Sequence, residues 1–288
     1  MIELELCGRQ LRYQPLTATT PDGVVLSILD HIPPEPLPDG ARDILFIHGF
    51  SQSSLSWLKQ TTGPLRYHHR LVTYDVRGHG SSDKPLEPEY YRDSRRWADE
   101  VETVISAAGL DRPVIVCWSY SGRIALDYLS HHGDNAISGL VMIAATSTVK
   151  DGVLGPATPS LRQIATAPDC AANLAATRDF LGLCTTAPLP ADEFALMLGF
   201  NLMVPVAVRS AMSGRPADYD DVLAAIEVPV LAIHGEGDPI NTPAMSEYTV
   251  AHCRNTRLSL FPATGHLPFW EQPARFDAEL GAFLNMLD

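Results

Sequence analysis

The sequence predicts an α/β protein: a mostly parallel, doubly wound sheet with a small helical cap inserted after the sixth strand. Three observations predict it. Short apolar, β-branched runs recur along the chain, as expected of strands buried on both faces. Segments with helical period separate them, which makes the connections βαβ crossovers. The rhythm breaks once, between about residues 146 and 221.

The elements follow in order. From about Leu4 to His31 the chain reads as an antiparallel opening pair, with Pro21-Asp22-Gly23 as its turn. Pro33, Pro34, Pro36 and Pro38 then form a surface loop. The runs Ile44–Ile47, Leu71–Tyr74, Val114–Val116 and Leu140–Ile143 are the first buried strands. Trp97, Val101, Val104, Ile105 and Ala108 share one face of a helix between them. After Ala145 the pattern is helical without a convincing strand, and Phe194, Leu196, Met197, Phe200, Leu202 and Met203 make this stretch rich in large apolar groups. Such spacing serves a small core of its own, and a lid lining a substrate pocket is compatible with it. The sheet resumes at Val230–Ile233 and Leu258–Phe261, and Phe276, Leu280, Phe283, Leu284 and Leu287 mark a closing helix. The expected organisation is therefore one core domain, residues 1–145 and 222–288, interrupted by a helical cap at 146–221.

Composition limits the function. The 288 residues are 45% hydrophobic and 19% charged, enough to fill a sizeable core and too apolar for disorder. A net charge of −13 would repel a phosphate backbone, which argues against nucleic acid as a partner. The amino terminus does not resemble a secretory signal, and no apolar run approaches a membrane span, so the expected location is cytoplasmic with no membrane partner. Cys7, Cys117, Cys170, Cys184 and Cys253 are scattered, odd in number and free of CxxC spacing, which argues against a disulfide framework or a structural zinc site.

The most informative stretch is the strand from Val114 running into Trp118-Ser119-Tyr120-Ser121-Gly122 and a helix. A strand-turn-helix elbow exposes a serine hydroxyl at the carboxyl edge of a sheet, so Ser119 is the candidate nucleophile. The usual signature is GxSxG; here Cys117 and Ser121 replace both glycines, and Gly122 follows. A serine needs a histidine to take its proton, and the histidine needs a carboxylate to hold its tautomer. Asp238 and His266 each stand just past a predicted strand, in the order serine, acid, histidine. His48-Gly49-Phe50 follows the strand at 44–47, and the amides of Phe50 and Tyr120 are the natural pair of donors for an acyl-transfer oxyanion. Trp57, Trp118, Tyr120 and Trp270 either line an acyl pocket or pack in the core. The run Arg77-Gly78-His79-Gly80-Ser81-Ser82-Asp83 reads as a structural loop, so His79 and Asp83 stay outside the catalytic list.

On these motifs, from residue 20 to the carboxyl end, the chain resembles the α/β-hydrolases, and within them the non-haem chloroperoxidase and esterase branch. The segment Val204–Met212 and the stretch Tyr219–Leu223 are similar to that branch's cap exit. The resemblance implies Ser119 as nucleophile, Asp238 as acid and His266 as base, with no cofactor, metal or haem. The expected function is a serine hydrolase cleaving a carboxylic ester or lactone of a small apolar substrate through an acyl-enzyme. Alternatives are a carbon–carbon bond hydrolase or a cofactor-free perhydrolase using the same triad, and a small-ligand receptor derived from a hydrolase. No GxGxxG after a strand, P-loop or HExxH spacing is present, and serine at 119 argues against dehalogenase or epoxide hydrolase chemistry, which needs an aspartate there.

Overall fold

The computed structural model describes residues 1–287, whose nine strands form a single sheet in the order β1-β2-β3-β5-β4-β6-β7-β8-β9. β1 (Ile2–Leu6), β2 (Arg9–Thr19) and β3 (Val25–His31) are antiparallel, and β3 also runs antiparallel to β5 (Arg70–Asp75). β4 (Asp43–Ile47), β5, β6 (Val114–Trp118), β7 (Gly139–Ile143), β8 (Val230–Gly235) and β9 (Thr256–Phe261) are parallel. In β6, β7 and β8 every residue is buried, because helices cover both faces. At the edge, β1 is amphipathic and mostly exposed.

The opening differs from the sequence expectation in one respect: it has three strands rather than two, so the helical insertion follows the seventh strand. The missed turn is Cys7-Gly8, which closes a two-residue hairpin with φ of 48° and 68° and pairs Leu6 with Arg9. Two successive positive φ angles give the turn the twist of its strands. Cysteine is an unusual residue to find there, and that hid the turn.

Two short helices, α1 (Leu58–Thr61) and α2 (Glu89–Arg92), precede α3 (Ser94–Ala108), whose Trp97, Val101, Val104, Ile105 and Ala108 are all buried. Asp93 caps α3 by accepting from the Arg95 amide. α4 (Ser121–His132) packs beside it. Between β7 and β8 lie α5 (Thr158–Ala165), α6 (Cys170–Leu183), α7 (Ala191–Leu202), α8 (Val206–Met212) and α9 (Asp220–Ala225). These helices bury Ile164, Phe180, Leu181, Met197, Phe200 and Val208. Inside them, the buried Arg209 guanidinium donates to the Ile164 carbonyl and the Asn173 side chain. α10 (Pro243–His252) joins β8 to β9, and α11 (Pro268–Glu271) and α12 (Pro273–Leu284) close the chain. No single helix among the described residues is long and apolar enough to cross a membrane.

The strand order fixes where a site can form. From β4 the chain steps to β5 on one side and then returns to β6 on the other, so the loops leaving β4 and β6 diverge. A crevice opens at the carboxyl ends of strands where the winding direction reverses. His48-Gly49-Phe50 leaves β4 at that point and Ser119 leaves β6.

Candidate active site

Ser119 sits between β6 and α4 with φ of 58°, in the left-handed region that ordinary residues avoid. Its own backbone holds the turn: its amide donates to the Ile143 carbonyl and its carbonyl accepts from the Thr146 amide, both at 2.9 Å. The residues replacing the usual glycines have clear positions. Cys117 is fully buried in β6. The fully buried Ser121 hydroxyl accepts from the Trp118 amide at 2.7 Å and lies 2.8 Å from the Ile47 carbonyl, bridging β6 to β4 at the end of their pairing, Ile47 with Cys117. The close approach of helix and sheet falls instead on Gly122, where a Cβ would lie 2.8 Å from both Ala145 Cβ and the Thr146 nitrogen.

His266 and Asp238 are delivered by the loops after β9 and β8. His266 Nε2 is 2.8 Å from Ser119 Oγ, and His266 Nδ1 is 2.6 Å from Asp238 Oδ2. Asp238 Oδ1 accepts from the amides of Ile240 and Asn241, and His234 Nε2 stands 3.2 Å from Oδ2. Burial pushes the Asp238 carboxyl up, but the His266 and His234 imidazoles outweigh it and hold it at about 2. The His266 backbone is held at both ends of its peptide groups: its amide donates to the Cys184 carbonyl, and its carbonyl accepts from the Trp118 indole, each at 2.8 Å. The three residues singled out in the sequence are thus brought into one hydrogen-bonded chain.

The loop after β4 is fixed by two buried histidines. His48 Nδ1 donates to the Gly49 carbonyl and Nε2 accepts from the Val76 amide; His79 Nδ1 donates to the Arg77 carbonyl and Nε2 accepts from the Ser51 amide. Burial lowers the pKa of both rings, so they remain neutral and able to accept. Asp83 accepts from the Val25 amide, and Arg77 pairs with Glu100 and Asp22. This network carries Gly49 against the elbow, where a Cβ would approach Ser119 Cβ at 3.2 Å. Phe50 and Tyr120 therefore flank Ser119, their rings 5.9 Å apart. Among the described residues neither of their amides donates to a protein acceptor, which leaves both able to bind an oxyanion.

A cavity of about 420 Å³ opens on Ser119 and is lined by Phe50 and Tyr120 from the core and by Leu154, Leu161 and Met212 from the insertion. Trp57, Trp118 and Trp270 are not among its lining residues. Trp57 packs between Phe46 and Phe269, Trp118 packs on Phe269 with its N–H on the His266 carbonyl, and Trp270 donates to Glu193. Each indole is almost wholly buried in the protein's own core. The lining residues missed in the sequence, Arg123, Leu161 and Met212 among them, lie on helices whose spacing reveals a buried face but not what it faces.

A family model described as "Alpha/beta hydrolase family" matches residues 44–279. The crystal structure of the esterase RhEst1 from Rhodococcus sp. ECU1013 superposes with a TM-score of 0.86 at 28% identity, covering 95% of this chain and 99% of that one. The bifunctional esterase/perhydrolase DCH of Acinetobacter calcoaceticus is 28% identical over 288 residues, 93% of this chain and 98% of its own. The non-heme haloperoxidase of Rhodococcus erythropolis is 26% identical, covering 78% of this chain and 85% of its own.

Proposed function

Because the chain belongs to the alpha/beta hydrolase family, we propose that it is a serine hydrolase that cleaves a carboxylic ester or lactone of a small, largely apolar substrate. The observation that carries this reading is the continuous relay from Ser119 through His266 to Asp238, with contacts of 2.8 and 2.6 Å. His266 Nε2 takes the Ser119 proton as Oγ attacks the carbonyl carbon, and the Phe50 and Tyr120 amides receive the developing oxyanion. The tetrahedral species collapses, and His266 returns the proton to the leaving alkoxide. Water, deprotonated by the same nitrogen, then attacks the acyl-Ser119 ester and releases the acid. Asp238, kept ionised by its two imidazole neighbours, holds His266 with Nδ1–H toward itself and Nε2 toward serine. Every step uses only groups of the protein and water.

The similarity to esterases supports an ester as substrate, and the apolar wall formed by Leu154, Leu161 and Met212 supports an apolar acyl group. The same acyl-enzyme can pass to hydrogen peroxide instead of water, a reading favoured by the name of the Acinetobacter relative. The test is hydrolysis of short and long p-nitrophenyl esters and several lactones by wild type and Ser119→Ala side by side. Wild type should turn over repeatedly, and Ser119→Ala should lose about 10⁴-fold or more in kcat. Comparable turnover by folded Ser119→Ala would overturn the reading.

A further inference from the structure

The chain carries a net charge of −13, yet no aspartate or glutamate is among the residues lining the cavity beside Ser119, whereas Arg123 and Arg162 are. Arg123 lies on the first turns of α4, four residues from Ser119, with its guanidinium carbon 5.4 Å from the centre of the Tyr120 ring. Its Nη1 donates to the Arg215 carbonyl at 2.6 Å, while its buried Nε has no hydrogen-bond partner. The carboxylate that could neutralise it is already engaged: Asp127 pairs with Arg215 and accepts from the Tyr219 hydroxyl at 2.8 Å. Arg215 thus takes the carboxylate, and Arg123 has no ion pair of its own among the described residues. Arginine stays protonated, so this wall of the cavity keeps a positive charge. Arg162, exposed on α5 at the cavity's edge, adds a second cation that has no carboxylate partner among the described residues. Arg123 is half-buried, so its charge is only partly screened by solvent, and an anion in the cavity would pair with it.

We infer that the preferred substrate is an ester bearing a second, ionised carboxylate, which Arg123 binds inside the cavity and Arg162 assists. This rests on the ester-hydrolase reading and adds the charge of the substrate to it. The Arg123 Nη2 group suits a carboxylate oxygen, and on an otherwise acidic protein the two cavity-lining cations select for an anion that the general surface charge repels.

The experiment compares kcat/KM for monomethyl adipate with that for methyl hexanoate, which places the charge on the acyl side. Acetoxybutyrate against butyl acetate asks the same of the leaving-group side. Wild type should prefer the anionic member of at least one pair. Arg123→Gln should reduce that preference about 10- to 100-fold, mainly through KM, and Arg162→Gln by a smaller factor. Should Arg123→Gln fail to fold, the charge-removing Arg123→Met and Arg162→Gln carry the comparison. No anionic preference in wild type, or a preference that neither variant moves, overturns the inference while leaving the hydrolase intact. If no ester in the set is cleaved, adipate binding to Ser119→Ala, measured by calorimetry with and without Arg123→Gln, still decides. Binding that depends on Arg123 supports the anion site, and absent or Arg123-independent binding refutes it.

Discussion

Replacing Ser121 by alanine tests how the elbow is held without its usual glycines. The Ser121 hydroxyl receives the Trp118 amide at 2.7 Å and has the Ile47 carbonyl at 2.8 Å and the Trp118 carbonyl at 2.9 Å as acceptors for its own proton, so one oxygen ties β6 to β4 where they part. Ser121→Ala keeps the Cβ and removes the bridge. Ser121 is fully buried, so bulk water does not reach the two backbone groups when the hydroxyl is removed. A buried backbone group that loses its partner costs about 1–3 kcal/mol, and partial relaxation of two such groups gives an expected loss of about 2–4 kcal/mol. Urea unfolding followed by tryptophan fluorescence should show a lower midpoint with an unchanged slope. Ser121→Gly, which restores the residue usual in this motif, should also be less stable than wild type. A Ser121→Ala variant within about 0.5 kcal/mol of wild type would refute the bridge as a structural element.

Three further predictions follow from the geometry. Asp238→Asn should lower kcat by about 10⁴-fold with a much smaller effect on KM, because the amide no longer fixes the reactive His266 tautomer; steady-state kinetics on an ester that wild type cleaves would check it. Gly122→Ala should destabilise the protein by about 1–3 kcal/mol and slow turnover, since its Cβ would press on Ala145 and on Thr146, whose amide holds the Ser119 carbonyl; a variant with wild-type stability and rate would contradict this. Burial pushes the Asp277 carboxyl up to about 7, against the lowering contact from Gln60. In the unfolded chain this group ionises near pH ~3.9, so stability falls as pH rises from there through about 7 and the full penalty persists above. Asp277→Asn should therefore be more stable than wild type at about pH 8, by on the order of 1–3 kcal/mol, with the gap closing toward about pH 4; a gap that ignores pH would count against it.

The parts of this molecule that could be read in advance are those in which a local pattern has one physical solution. Buried parallel strands read as apolar runs, and residues 44–47, 71–74, 114–116, 140–143, 230–233 and 258–261 fall within β4 to β9. Ser119, Asp238 and His266 could be picked out because each follows such a strand, and strands of a parallel sheet present their carboxyl ends on one edge. The cavity wall was not legible for a reason of the same kind. Trp118 is next to Ser119 in sequence, yet its indole packs in the core against Phe269, whereas Leu154 and Met212 reach the cavity from distant segments. Adjacency along the chain gives no direction for a side chain at a strained turn, and helical spacing in α5 and α8 identifies a buried face without naming its neighbour. The Cys7-Gly8 turn and the Ser121 bridge were hidden because an atypical residue does a familiar job in each.

The insertion's ends meet. Thr148, just after β7, forms an antiparallel bridge with Asp218, just before α9, so to the sheet the segment is a closed loop whose two stems already touch. Closing such a loop depends little on its length, since entropy grows only as its logarithm. The segment could accordingly be lengthened, shortened or exchanged between relatives while Ser119 and Asp238 keep their places, making substrate range a property that can evolve separately from the chemistry. Backbone contacts limit that freedom: the Thr146 amide holds the Ser119 carbonyl, and the Gly155 and Ala157 amides donate to the Ile240 and Pro239 carbonyls beside Asp238. The carbonyl of Cys184, at the end of α6, likewise receives the His266 amide, so any replacement must return these partners or let serine, aspartate and histidine drift apart.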